Sequence, residues 1–116
     1  MYTIAKQFEF SASHRLEWLP ITHPCHNLHG HNYVVTVTLK SEELNENSFV
    51  VDFRELDKLK IYLNERFDHK HLNDQFDRPT VELLAKHLYM WCKQIWPQTH
   101  TVRVSETPKT WAEYRR

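Results

Sequence analysis

The chain has 116 residues, 41% of them apolar and 13% aromatic, which suits one domain with a modest core and excludes a disordered chain. Fifteen basic side chains balance fifteen acidic ones, so no overall electrostatic footprint for nucleic acid is present. No apolar run approaches the roughly 20 residues needed to cross a bilayer, and the opening "MYTIAKQFEF" lacks the apolar centre of a signal peptide, so a cytoplasmic protein without a membrane partner is expected.

Residues 2–13, "YTIAKQFEFSAS", place Ile4, Phe8 and Phe10 on one parity, broken only by Lys6, and predict a half-buried strand. A loop punctuated by Pro20 and Pro24 follows. Residues 31–40, "HNYVVTVTLK", are rich in β-branched side chains and predict a second strand, antiparallel to the first across a long connection. After a polar turn at 41–47, "SFVV" (48–51) reads as a short returning strand. Asp52 and Glu55 have the spacing of a capping box ahead of a helix over 53–67, with Leu56, Leu59, Leu63 and Phe67 on its buried face. Thr80 is the expected N-cap of a second helix, whose stripe is Val81, Leu84, Ala85, Leu88, Cys92 and Ile95. Residues 99–107, with Val102 and Val104 on one face, predict the last strand. The order predicts an α+β fold, an antiparallel four-stranded sheet with two helices packed on one face, in a single domain over 1–116.

Nine histidines are several times the usual share, and imidazole is the commonest metal ligand. Three of them lie in "PCHNLHGHNY" (24–33) with Cys25 and Gly30, the only glycine of the chain. Residues two apart on a strand share a face, so His29 and His31 can chelate one divalent ion while Gly30 points away. His14, at the end of the first strand, is the natural third ligand, leaving the fourth position open as in catalytic zinc sites. An H-x-H pair is also common among plain surface and core histidines, and Gly30 also fits a bulge or a close backbone approach. Cys25 is open to three readings: a fourth ligand, a reactive thiol or a small buried hydrophobe. Cys92, on a helix stripe, is a core residue, and two cysteines are too few for a disulfide framework. In "FDHKHLND" (67–74), Asp68 can fix the tautomer of His69; the same residues also suit a helix C-terminus, where basic groups complement the dipole. Glu106 ends the last strand just before Pro108, where a carboxylate is ordinarily solvated.

Together, "FSASHRL" (10–16), "CHNLHGHNY" (25–33), "VVDF" (50–53), "FDHKHLN" (67–73), "RPTVELLA" (78–85) and "VRVSETPKTWAEY" (102–114) resemble the 6-pyruvoyl-tetrahydropterin synthase family, in order and across the whole chain. The three-residue spacer "HNL" between Cys25 and His29 resembles the 6-carboxytetrahydropterin synthase branch of queuosine biosynthesis. Pyruvoyl-forming relatives carry a longer insertion, and Phe67 stands where the family more often has leucine. The resemblance implies zinc held by His14, His29 and His31. It implies Cys25 as catalytic base, with Asp68, His69 and Glu106 as relay or substrate-anchoring partners. It further implies 7,8-dihydroneopterin triphosphate as substrate and the tunnelling fold. The assembly it implies is a homo-hexamer, a dimer of trimers whose sheets close into barrels, with active sites at subunit contacts. Arg15, Lys70, Arg103 and Lys109 are candidate partners of the triphosphate. Formation of a pyruvoyl product on the same scaffold, or a non-catalytic pterin- or metal-binding module, are the competing readings.

Overall fold

The computed structural model describes residues 1–116. Strand β1 (Tyr2–His14) pairs antiparallel with β2 (His29–Ser41) along its whole length, from Tyr2 opposite Ser41 to His14 opposite His29. Between them the chain makes a 14-residue excursion carrying a single 3-10 turn at Pro24–His26. Helix α1 (Asp57–Arg66) leads to β3 (Lys70–His71), which lies parallel to Ala12–Ser13 of β1. Helix α2 (Val81–Ile95) precedes β4 (Thr99–Thr107) and β5 (Thr110–Tyr114). The sheet order is β3-β1-β2-β4-β5, antiparallel except at β3.

Alternation decides which face the helices cover. On β2, Tyr33, Val35, Val37 and Leu39 are fully buried while their odd-man neighbours Gly30 and Asn32 are exposed. Phe8, Phe10 and Ala12 of β1 and Val102 and Val104 of β4 join the same core, closed by Leu59 and Leu63 of α1 and Leu84, Ala85, Leu88 and Cys92 of α2. Each buried Leu or Val stabilises by roughly 1.5–3 kcal/mol. Burial pushes the Cys92 thiol up to about 12, so it stays protonated as a core residue. Thr80 caps α2, its hydroxyl accepting from the Leu83 N–H at 3.3 Å. Ile95, expected on the α2 stripe, is exposed at the helix end, and Tyr89 takes a buried place instead, its ring 5.3 Å from that of Tyr114. No helix is long and apolar enough to cross a membrane.

Three expectations are corrected. "SFVV" is not a strand: the Asn45 side chain accepts from the N–H groups of Asn47 (2.9 Å) and Phe49 (3.1 Å). The Asn45 N–H also donates to the Phe49 carbonyl (2.8 Å), and Ser48 sits at φ 68°. The polar groups a ladder would need are consumed inside this loop; Val50 is buried in the core and Val51 packs against it. Asp52 and Glu55 do not form a capping box. The Asp52 carboxylate accepts from Arg54 N–H two residues on (2.9 Å), so 53–56 wind as successive turns, and α1 starts at Asp57 without a side-chain cap. Glu55 pairs forward with Lys58 instead. Finally, the sheet has five strands rather than four: with "SFVV" lost, Lys70–His71 adds β3 beside β1, and "TWAEY" turns back after Pro108 and pairs with β4, Arg103 opposite Glu113 and Val104 opposite Ala112.

His87 of α2 is half-buried among Tyr62, Phe67 and Phe76, with its Nε2 2.7 Å from the Tyr62 hydroxyl. Burial, aided by the Arg66 charge, lowers its pKa below 6.5. The unfolded chain therefore takes up this proton first as pH falls below 6.5, and stability falls with it. Urea midpoints measured at pH 7.5 and 5.5 are expected to drop less for His87→Gln than for the wild type.

Candidate metal centre and active site

The inward-facing rows of the core do not stop where the apolar residues stop. Phe8, Phe10 and Ala12 continue to His14; Leu39, Val37, Val35 and Tyr33 continue to His31 and His29; Val102 and Val104 continue to Glu106. Period two thus delivers three imidazoles and a carboxylate to one end of the helix-covered face. One donor atom from each of these four residues lies within 4.8 Å of all the others. His14 Nε2 is 2.9 Å from His29 Nε2. Glu106 Oε2 is 3.0 Å from His31 Nε2 and 3.4 Å from His14 Nε2.

The surrounding hydrogen bonds assign the tautomers. His14 Nδ1 faces the Pro79 carbonyl at 2.9 Å, and His29 Nδ1 faces the Asn27 carbonyl at 2.7 Å. A carbonyl only accepts, so each Nδ1 carries the proton and each Nε2 presents a bare lone pair. Two lone pairs 2.9 Å apart repel unless a cation sits between them. His31 Nε2 is buried with no hydrogen-bond partner, since Glu106 is near it but not aligned for a hydrogen bond. Burial, the largest cause, lowers the pKa of both His14 and His31, and the neighbouring imidazoles act in the same direction against Glu106. These groups are held neutral, the form that ligates metal. The donor set fits a divalent metal ion, with the Pro79 and Asn27 carbonyls orienting two of the ligands from behind. Tyr33, next in the β2 row, puts its hydroxyl 3.2 Å from His14 Nδ1, and burial raises its pKa.

Cys25 lies in the 3-10 turn of the β1–β2 connection, half-buried and outside this donor set. Its backbone is pinned at both ends: its N–H donates to His23 Nδ1 (3.0 Å), and its carbonyl accepts from Leu16 N–H (2.8 Å). His26 is a loop residue, its Nδ1 3.0 Å from the Leu19 carbonyl.

Asp68 and His69 form a second constellation, apart from the first. Asp68 accepts from the Ser11 N–H through Oδ1 (2.9 Å) and from His69 Nδ1 through Oδ2 (2.8 Å). Those two bonds, the Ser11 one foremost, hold its carboxyl below the usual carboxylate range. His69 adopts φ 57°, a left-handed conformation secured by its N–H donating to the Ser11 carbonyl (2.6 Å). Its side chain is 82% exposed and opens onto a shallow cleft of about 630 Å³ lined by Ser11, Ser13, Gly30 and Asn32 of the uncovered sheet face, with His31 at its rim. Lys70 lines the same cleft, whereas Arg103 is occupied by Glu113 (3.7 Å) and the Trp111 ring.

The structure therefore gathers His14, His29, His31 and Glu106, and leaves Cys25 and the Asp68–His69 pair outside that cluster. Two features went unread in the sequence. Glu106 as a metal-side donor was signalled by its parity with Val102 and Val104; the backing carbonyls of Asn27 and Pro79 left no residue-type signal at all. Gly30 also needs correcting. A Cβ there would meet the Ala12 carbonyl at an ordinary 3.4 Å and its φ is not positive, so the fold of one chain does not demand glycine.

The chain matches the family described as 6-pyruvoyl tetrahydropterin synthase over residues 3–116. It is 35% identical over 105 residues to the 6-carboxy-5,6,7,8-tetrahydropterin synthase of Bacillus subtilis, covering 78% of this chain and 70% of that protein. It is 32% identical over 122 residues to the synthase of the same name from Synechocystis, covering 98% and 93%. The solved structure of Caenorhabditis elegans 6-pyruvoyl tetrahydropterin synthase matches with a TM-score of 0.86 at 28% identity, over 99% of this chain and 95% of that one. A whole-length sequence match, a shared fold and a metal-ready histidine cluster agree, and the chain belongs to the 6-pyruvoyl tetrahydropterin synthase family.

Proposed function

We propose that this tetrahydropterin-synthase lyase is a zinc-dependent 6-carboxy-5,6,7,8-tetrahydropterin synthase. It converts 7,8-dihydroneopterin triphosphate and water to 6-carboxytetrahydropterin, acetaldehyde and triphosphate, in the biosynthesis of queuosine. The observation that carries the reading is the set of unprotonated imidazole nitrogens converging at the end of the core, in a chain whose relatives named above carry that synthase name.

His14, His29 and His31 would hold the zinc, which when bound supplies Lewis acidity to the vicinal hydroxyls of the substrate side chain and makes the neighbouring protons more acidic. Cys25, as thiolate, takes a side-chain proton. Asp68 keeps the His69 proton on Nδ1, so Nε2 is free to accept that proton and pass it on. Glu106 suits the adjacent N–H donors of the pterin's guanidine-like edge, which pair with a carboxylate. The 82% exposure of His69 and its place outside the histidine–glutamate donor set favour a site completed by another copy of the chain, as in a hexamer built from two trimers.

Incubation with 7,8-dihydroneopterin triphosphate is expected to release acetaldehyde and a product with the mass of 6-carboxytetrahydropterin; a pyruvoyl product would reassign the branch. Cys25→Ala should keep its zinc and its fold while turnover falls at least about a hundredfold, the scale of a lost general base. Zinc lost with that thiol would make Cys25 a ligand. His29→Ala should weaken zinc binding by more than about tenfold and abolish turnover, read by metal analysis after dialysis.

A further inference from the structure

Asn73 closes the motif "FDHKHLN" and has no part in the steps proposed above. Its carboxamide makes two hydrogen bonds to a single residue. The Arg15 N–H donates to Asn73 Oδ1 (2.9 Å), and Asn73 Nδ2 donates to the Arg15 carbonyl (2.8 Å). These are the acceptor and the donor that a neighbouring strand would otherwise offer. The contact also keeps the β1–β3 register: Ser13 lies beside His71 at an offset of 58 residues, and Arg15 meets Asn73 at the same offset of 58. The backbone has by then left the sheet, winding into a 3-10 turn at Leu72–Asp74 that the buried Leu72 side chain holds in place. The side chain of Asn73 thus takes over from a strand that has ended.

Arg15 stands between two groups that the reaction uses. His14 precedes it, and the Leu16 N–H that follows donates to the Cys25 carbonyl (2.8 Å). The other hydrogen bonds of the 15–28 connection run among its own residues, apart from Asn27 at the far end, which meets His29. The Asn73 carboxamide is therefore what fastens the Cys25 loop to the rest of the fold near its start, joined by the Arg78 guanidinium over the Trp18 ring (4.9 Å). His14 has restraints of its own: it is buried, paired opposite His29, and held at Nδ1 by the Pro79 carbonyl. We infer that Asn73 is a positioning residue for the reaction, its carboxamide clamping Arg15 so that Cys25 is held in place relative to the metal ligand His14. This rests on Cys25 being the base of the proposed function. A base must lie within hydrogen-bond reach of the proton it takes, and a displacement of about 1 Å costs on the order of a hundredfold in rate. A loop tied down only by its own internal bonds does not meet that demand.

The test is a double-substitution cycle on the zinc-loaded protein, with 7,8-dihydroneopterin triphosphate as substrate, beside alkylation of the thiol by iodoacetamide without substrate. Asn73→Ala is expected to lower kcat at least about tenfold while KM stays within about threefold, with zinc content and far-ultraviolet spectrum unchanged. In a Cys25→Ala background the same substitution should change kcat by less than about twofold, because the clamp has no thiol left to place. Cys92 is fully buried, so alkylation reports Cys25, and it should run at least about threefold faster in Asn73→Ala than in the wild type. Asn73→Asp has the same size, keeps the acceptor for the Arg15 N–H and sets a carboxylate against the Arg15 carbonyl. It should show the same pattern, and it carries the test if Asn73→Ala does not fold. An undiminished loss in the Cys25→Ala background, unchanged kcat and alkylation, or zinc lost with Asn73 overturns the inference. Full turnover by Cys25→Ala overturns the clamp and the proposed base together. A pyruvoyl product, with the cycle and the alkylation as expected, supports the clamp and overturns only the proposed branch.

Discussion

The antiparallel register of β1 against β2 sets His14 directly opposite His29, and the chemistry at this end of the molecule depends on that one pairing. Alternation makes register all or nothing: a slip of one residue would turn His29 and His31 to the uncovered face and bring Gly30 and Asn32 beneath the helices. What prevents the slip lies far from the histidines. Phe8, Phe10, Tyr33, Val35, Val37 and Leu39 are buried on one face only, and they bury that face under α1 and α2. The apolar core thereby specifies the geometry of a polar site it scarcely touches.

Placing ionisable groups at the end of such rows has an electrostatic consequence. Burial penalises the charged imidazolium and keeps His14 and His31 neutral, while carbonyls outside the sheet hold the Nδ1 protons of His14 and His29. Without a cation the cluster is a set of mutually repelling lone pairs next to a carboxylate. The local structure is thus frustrated by itself and relieved by a metal, in the way that sites combining conflicting local preferences mark function.

The Asp68–His69 pair is built on different terms. It is fastened to the edge of β1 by backbone bonds to Ser11 and by the short parallel strand β3, and its free nitrogen points to solvent over the uncovered face. An exposed histidine with an ordered carboxylate behind it and a left-handed backbone is held in one orientation by its own chain. The uncovered face of the sheet beside it is polar at Ser11, Ser13, Asn32 and Thr36.

Much of this was legible in the linear chain. The period-two runs at 2–13 and 31–40, the helical stripes and the Thr80 cap are local patterns, and local patterns survive into the fold because neighbouring residues alone generate them. The ordered motifs from "FSASHRL" to "VRVSETPKTWAEY" were enough to assign the family. Where the reading failed, a side chain had redirected the backbone: Asn45 turned "SFVV" into a loop, and Asp52 closed a turn rather than capping a helix. Residue types therefore determined the strands β1, β2 and β4, the two helices and the family of this protein. Only the tertiary structure decided that Glu106 stands beside His31 and His14, that Asn27 and Pro79 carbonyls set the tautomers, and that His69 stays outside that donor set. Glu106 with its two histidines and Pro79 with His14 are distant in sequence and are joined through strand register and loop path; only Asn27 and His29 share a window of the chain.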